Sequence, residues 1–244
     1  MIPKVIHYCW FGGKPLPKSA KRCIESWKKY FPGYEIREWN ESNYDVRKMP
    51  YTAEAYDAKK YAFVSDYARF DILYHHGGVY FDTDVEVIQS FDDILTEGAF
   101  MGCETDGADV NPGLGMAAEP GLDLYKEVLE YYDSQRFLNA DGSLNTETVV
   151  SKTTRILTNH GLQPKSGIQQ AAGICVYPKE YFNPLDNNTG KLVVTENTHS
   201  IHWYTMSWLP KRQLLIRSIT RVFHRVFGVD CFRIIKQKRI TKRP

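Results

Sequence analysis

No apolar run in the chain approaches the roughly 18 residues of a membrane span, so no transmembrane helix is expected. Cysteine is scarce. The five cysteines (Cys9, Cys23, Cys103, Cys175 and Cys231) are odd in number, scattered and without a C-x-x-C pair. That disfavours a disulfide framework and a zinc knuckle, and it points to a reducing cytosol. Internal repeats and low-complexity segments are missing too. The opening residues, Met1-Ile2-Pro3-Lys4-Val5-Ile6-His7, lack a basic stretch followed by a long apolar one, so no secretion signal is expected. What is present is ordinary for a globular protein: 244 residues, 43% hydrophobic and 25% charged, which excludes wholesale disorder. The length suits one α/β domain, or one domain plus an appendage, and the core needs no metal or disulfide staple.

Acidic residues are nearly absent from the C-terminal stretch. Residues 210–244 hold eleven Lys/Arg and a single acid, Asp230, for a net charge of +10. The other residues hold twenty bases and twenty-eight acids, for −8. The division expected is therefore a body over 1–209 and a basic tail over 210–244. Within the tail, Leu215, Ile219, Val222 and Val226 recur at helical spacing beside Phe223 and Phe227, and Arg217, Arg221 and Arg225 form a stripe on the far side. This pattern predicts a basic amphipathic helix broken near Gly228, its apolar face either docked on the body or laid on a membrane. Such a tail fits an anionic partner.

Along the body, strands are predicted near Lys4–Trp10, Tyr34–Trp39, Val79–Phe81, Ala99–Gly102, Ile174–Tyr177 and Ser200–Tyr204. Helices are predicted over Ser19–Tyr30 with Ser19 as N-cap, Ala58–His75, Leu122–Asp133 and Glu147–Asn159. The alternation gives an α/β layer fold with a largely parallel or mixed sheet.

Three constellations carry chemistry. In Asp82-Thr83-Asp84, two carboxylates one residue apart follow a strand delivered by Gly77-Gly78, with Val85-Glu86-Val87 behind them. Such a pair suits Mg²⁺ or Mn²⁺ holding a diphosphate, where an isolated D-x-D would read as a solvated turn. Asp66 and Arg69 share one face of an otherwise apolar helix, where charges have a purpose if buried and form a surface ion pair if not. Asp71, Lys59 and Lys60 are expected to form its solvated face. Finally, His202 ends a strand inside Ile201-His202-Trp203-Tyr204-Thr205-Met206-Ser207-Trp208, as a metal ligand or part of an aromatic cluster.

Taken in order, Val5-Ile6-His7-Tyr8-Cys9-Trp10-Phe11-Gly12-Gly13, Ser65-Asp66-x-x-Arg69, Gly77-Gly78-Val79-Tyr80-Phe81-Asp82-Thr83-Asp84 and Ile201-His202-x4-Ser207-Trp208 resemble glycosyltransferase family 32, the D-x-D sugar transferases. That family includes bacterial capsular and lipopolysaccharide enzymes and is related to the catalytic domain of the large clostridial glucosylating toxins. The resemblance runs over roughly residues 2–209. It implies a GT-A, Rossmann-like nucleotide-sugar-binding fold and a retaining hexosyl transfer. It further implies that Trp10 stacks on the base with Cys9 beside it, that Asp66 and Arg69 hold the donor, and that Tyr80 lines the pocket. Asp82 and Asp84 would bind the metal, with His202 as a further ligand, and Ser207 and Trp208 would close over the diphosphate. Two departures stand out: Trp203 where many relatives have a second His, and Met206 where many have Gly. Glu104, Asp106 and Asp109 precede Asn111-Pro112-Gly113, in a loop that either contacts the sugar or is solvated.

The expectation is a Mn²⁺- or Mg²⁺-dependent transferase using a UDP-hexose and a lipid-linked or oligosaccharide acceptor in surface-glycan synthesis. It would be cytoplasmic and peripheral on the inner face of the plasma membrane, touching anionic lipid through residues 211–244. The alternative is a nucleic-acid- or membrane-binding protein whose sugar-nucleotide domain is not catalytic. No nucleic acid is expected, because the body is acidic and no binding motif is present.

Overall fold

A computed structural model of the chain describes residues 1–205 and 211–228. Strand β1 (Val5–Cys9) lies between β2 (Glu35–Trp39) and β3 (Gly78–Tyr80), parallel to both. The sheet continues through β6 (Met116–Ala118), β5 (Phe100–Gly102), β8 (Ile174–Tyr177) and β7 (Gln169–Ala171), in the order β2-β1-β3-β6-β5-β8-β7. β6 is antiparallel to both its neighbours, while β5 and β8 are parallel. A second, two-stranded sheet pairs β4 (Val85–Val87) with β9 (Ser200–His202), setting Val85 opposite His202. This is the α/β layer arrangement expected, with a mixed sheet: a parallel β2-β1-β3 half whose third strand runs into Asp82-Thr83-Asp84.

Alternation along the strands divides the core. Ile6, Tyr8, Val79 and Phe81 pack on one face with Trp27, Phe31, Phe91 and Phe182. Cys9, Tyr80 and Met101 pack on the other with Tyr51, Phe70, Tyr125 and Tyr132. Helix α1 (Lys18–Tyr30) covers the first face, and its fully buried Trp27 donates its indole N–H to the Val85 carbonyl at 2.8 Å. Ser26 Oγ accepts the Val87 N–H at 2.9 Å. Two side chains of α1 thus hold the strand that leaves the acidic pair.

Boundaries differ from the expectation where turns decide them. Pro17, not Ser19, is the N-cap of α1. The helix expected over Ala58–His75 is α3 (Tyr61–His76), and a further helix, α2 (Pro50–Asp57), precedes it, separated from it at Lys59, which takes φ +56°. Pro50 at the first helical position was the signal for α2. Three-residue β6 and β7 escaped notice because so short a run shows no period. Asp71 is not solvated: it is buried, accepts from the Tyr44 hydroxyl at 2.9 Å and pairs with Lys48 at 2.6 Å. Position 71 of α3 faces the loop before α2, not water.

The other helices are α4 (Asp92–Thr96), α5 (Asp123–Asp133), α6 (Val149–Asn159), α7 (Lys179–Phe182) and α8 (Lys211–Phe227). α8 is the predicted tail helix. Gly228 follows it at φ +82° and donates its N–H to the His224 carbonyl.

His7 joins the half-sheet to its surroundings. Its Nδ1 accepts the Trp39 indole N–H at 3.0 Å, and its Nε2–H donates to the Gly77 carbonyl at 3.0 Å. Acceptance at Nδ1 needs the neutral ring, whereas the Nε2–H bond is open to either form. Burial, opposed by the Gly77 bond and aided by Arg37, lowers its pKa from 6.5 to about 4. The unfolded chain therefore takes up a proton between these values that the native state refuses. Stability from this residue is complete above pH 6.5 and falls as the pH drops towards about 4, by up to about 3 kcal/mol. An NMR titration of the His7 ring, alongside urea unfolding at neutral and acidic pH, checks this; a midpoint near the ordinary histidine value would contradict it.

Candidate active site

A cavity of about 890 Å³ opens where β1 and β3 end, the edge at which parallel α/β sheets usually bind ligands. Cys9 and Trp10 line one side, Ser65, Asp66 and Arg69 of α3 another, and Asp82-Thr83-Asp84 a third. His202, Tyr204 and Thr205 approach from the C-terminal side.

A relay of charges crosses the cavity wall. Arg69 is 3% exposed, and its Nη2 lies 3.0 Å from Asp66 Oδ1 and 3.2 Å from Asp82 Oδ1. Its Nε–H donates to the Ser65 carbonyl at 3.1 Å, and the guanidinium sits 5.0 Å from the centre of the Tyr80 ring. The Tyr80 hydroxyl donates to Asp82 Oδ1 at 3.1 Å. Asp84 is held differently. Oδ1 lies 3.1 Å from His202 Nε2, while Oδ2 accepts the Thr205 N–H at 2.8 Å and its hydroxyl at 3.1 Å. The main chain fixes the same turn, with Asp82 N–H donating to Gly113 O and Trp203 N–H to Asp84 O.

This setting separates the two acids. Burial alone would raise both. For Asp84 the His202 charge and the Thr205 donors override it and bring the pKa down to about 2. For Asp82 burial and the Asp84 charge prevail over Arg69, and its pKa is raised. Asp66 is raised to about 6 by burial, with Arg69 opposing. His202 is raised, because Asp84 outweighs its desolvation. Two buried nitrogens of the cavity-lining residues have no hydrogen-bond partner: Arg69 Nη1 and His202 Nδ1. A buried donor without a partner is uncommon, and at a cavity wall it suits a polar ligand.

Two loops shape the mouth. Gly12, at φ +95°, abuts the Tyr61 ring, which a Cβ there would meet at 2.4 Å, and its N–H donates to Glu41 at 2.6 Å. The indole N–H of Trp10 donates to the Lys14 carbonyl, which leaves the ring along the cavity side. Opposite, the Asn111 amide donates to Glu104 at 2.7 Å, and both residues line the cavity.

Residues 17–101 match a family model described as the glycosyltransferase sugar-binding region containing the D-x-D motif. The matched stretch is about a third of the chain. The chain is 33% identical over 109 residues to an uncharacterized glycosyltransferase, L373, of Acanthamoeba polyphaga mimivirus, covering 41% of this chain and 43% of the relative. It is 28% identical over 111 residues to inositol phosphoceramide mannosyltransferase 1 of Schizosaccharomyces pombe, covering 41% and 33%. The match thus spans less than half of either relative. A solved glycosyltransferase involved in glycosylation of the major capsid of PBCV-1 overlays with a TM-score of 0.48 at 13% identity, covering 84% of this chain and 95% of that one.

The fold gathers Cys9, Trp10, Asp66, Arg69, Asp82, Asp84 and His202 around one cavity. Tyr80 differs: it is fully buried behind the wall, holding Asp82, because strand alternation turns it into the core beneath Arg69. Ser207 and Trp208 lie outside the described residues. Glu104 reaches the cavity but Asp106 and Asp109 do not; Asp109 accepts from the Thr105 hydroxyl instead. Thr205, three residues after His202, went unnoticed, as did Asn187, Lys14, Lys59 and Tyr61. Lys152 was missed as well. It is 1% exposed, sits over Tyr51 and Tyr132, and its charge acts on Asp66. No motif marks it.

For a divalent cation the donor set fits. Two carboxylates and an imidazole are suitable ligands, although no three His, Cys, Asp or Glu side chains form a ready-made cage among the described residues. Mg²⁺ in particular usually keeps few protein ligands and takes the rest from phosphate and water. The position of Asp82 depends on Gly113, where a Cβ would fall 2.1 Å from Asp82 Oδ2 and 3.0 Å from Asn111 Oδ1. Gly113→Ala is therefore expected to displace Asp82 and to weaken UDP binding in the presence of Mn²⁺ by about 10- to 100-fold, read by calorimetry, with the circular dichroism unchanged. Unaltered affinity would show that Asp82 does not act from this position.

Proposed function

We propose that the chain is a metal-dependent, retaining glycosyltransferase. It moves a hexosyl unit from a UDP-sugar to a lipid-linked or oligosaccharide acceptor of a growing surface glycan. The observation that carries this reading is the Asp66–Arg69–Asp82 and Asp84–His202 relay along one wall of the cavity, within a D-x-D sugar-binding region.

In the reaction, the bond between the anomeric carbon and the diphosphate oxygen breaks as the acceptor oxygen attacks from the same face. The acceptor proton passes to the departing diphosphate. Negative charge grows on that diphosphate, and stabilising it lowers the barrier. Charge balance sets the requirement. Asp66, Asp82 and Asp84 are offset by Arg69 and His202 within the wall, with Lys152 behind it. Lys14 and Lys59 at the mouth are exposed, and neither makes an ion pair among the described residues. Beyond these two lysines, a diphosphate entering such a wall would gain from further positive charge. Mn²⁺ or Mg²⁺ held by Asp82 and Asp84, with His202 adjoining, would supply it as a Lewis acid. Arg69 directs its unpaired Nη1–H to the donor, and Asp66 fixes the guanidinium while accepting from ribose or sugar hydroxyls. Trp10 offers a flat apolar face for the base. Ser207 and Trp208 complete the grip on the diphosphate in this proposal.

The body over 1–209 would carry the chemistry, and the tail over 210–244 would hold the enzyme to the cytoplasmic face of the membrane. A second reading, transfer of mannose, is favoured by the names of the Schizosaccharomyces pombe relatives.

The experiment is nucleotide release from a panel of UDP- and GDP-sugars, with and without Mn²⁺. One UDP-hexose is expected to release nucleotide only with metal, and Asp84→Ala to slow that release about 100-fold or more. Release from GDP-mannose would select the second reading. Equal turnover by Asp84→Ala would remove the metal from the mechanism.

A further inference from the structure

Helix α8 presents its faces in the reverse of the usual order. A helix that docks on its own domain turns its apolar stripe inward. Here Ile216, Ile219, Val222, Phe223, Val226 and Phe227 are 42–66% exposed. At 100° per residue these six positions fall within one sector of the helix. Arg221 and Arg225 lie on the opposite side and touch the body. Arg221 donates from Nε to the Asn187 carbonyl at 3.0 Å and from Nη2 to Asn187 Oδ1 at 3.1 Å. Arg225 donates to the carbonyls of Thr189 and Gly190 at 3.3 and 2.8 Å. The gripped loop is stiff, because Asp186 Oδ1 accepts from Asn188 N, Thr189 N and Thr189 Oγ1. Asn187 lines the cavity. Directly after this loop, Leu192, Val193 and Val194 are also 41–52% exposed.

We propose that α8 is a membrane-docking foot worn with its apolar face outward, and that Arg221 and Arg225 are a latch to the cavity wall and not lipid contacts. The occupant of the face is an anionic bilayer. An interfacial helix combines such an apolar sector with basic neighbours and does not span the membrane, and among the described residues no helix is long and apolar enough to cross one. Charge complementarity selects anionic lipid: residues 210–244 carry eleven Lys/Arg against one acid, while the rest of the chain is net acidic. The proposal deepens the membrane-bound reading above and rests on it, but it does not rest on the reaction: a bilayer on this face would carry the cavity at the lipid surface whatever donor it accepts.

The test is sedimentation of the full chain with phosphatidylcholine vesicles containing phosphatidylglycerol, which needs neither nucleotide nor turnover. Val222→Glu with Val226→Glu, both on exposed positions, is expected to weaken vesicle binding about tenfold or more, since burial of the apolar face sets the strength of such helices. Arg221→Gln with Arg225→Gln is expected to leave it within about threefold. Two lipid-facing arginines would instead cost about 30-fold, at about 1 kcal/mol each. A loss of that size would turn the arginine face to the lipid and overturn the latch. Vesicle binding indifferent to Val222→Glu/Val226→Glu would overturn the foot. So would a wild-type chain that ignores these vesicles while self-associating through the same residues or binding oligonucleotides. Loss of nucleotide release with vesicle binding intact would reject the transferase reading alone.

Discussion

The guanidinium of Arg69 is the group on which the site's geometry depends. It is buried to 3% exposure, and a charge so placed must be paired and hydrogen-bonded. Asp66, on the same helix, is one partner; Asp82, on the turn after β3, is the other. Helix and turn come from different parts of the fold, so one cation fixes the distance between them. Removing one member of a buried pair typically costs about 3–5 kcal/mol, because the remaining charge is stranded. The same penalty holds the site in place: if Asp82 turned away, the buried arginine would lose one of its two carboxylate partners.

The acidic pair is then strapped from the opposite side. β9 pairs with β4, so His202 stands across from Val85, one residue beyond Asp84. Thr205 closes over Asp84 with two donors, and α1 holds the outgoing strand through Trp27 and Ser26. The two carboxylates thereby receive different neighbours, and their affinities for protons separate: Asp84 falls to about 2, whereas Asp82 rises. One acid is committed to its charge throughout the neutral range.

Much of this was legible in the sequence, and the reasons for success and failure are local. Val5–Cys9 and Ile174–Tyr177 stood out because β-branched and aromatic residues run together there. Asp82-Thr83-Asp84 stood out because Gly77-Gly78 and a short apolar strand lead straight into it. The burial of Arg69 followed from the apolar residues around it. By contrast, β6 is three residues long, too short for any period, yet it is the antiparallel strand that joins the two halves of the sheet. Asp71 was misjudged because a helix that packs on several sides has no solvated stripe to read. Lys152 and Gly113 have no signature at all. One lies in a polar helical run and the other in a turn, and only tertiary contact shows that the first acts on Asp66 and the second makes room for Asp82.

The tail illustrates a different limit of sequence reading. Its period revealed two faces, but periodicity cannot say which one turns inward. Ordinary hydrophobic accounting would have chosen the apolar one, since burying a single Val or Phe side chain is worth about 1.5–3 kcal/mol. The structure chooses the arginines, which find backbone carbonyls and an asparagine amide in the loop over 186–190. That choice leaves six large apolar side chains 42–66% exposed on one face, the kind of patch that marks a partner or membrane surface. The loop that takes the arginines also forms part of the cavity wall through Asn187. Whatever covers the apolar face is therefore tied, through two arginines and one loop, to the same cavity that holds the acidic pair.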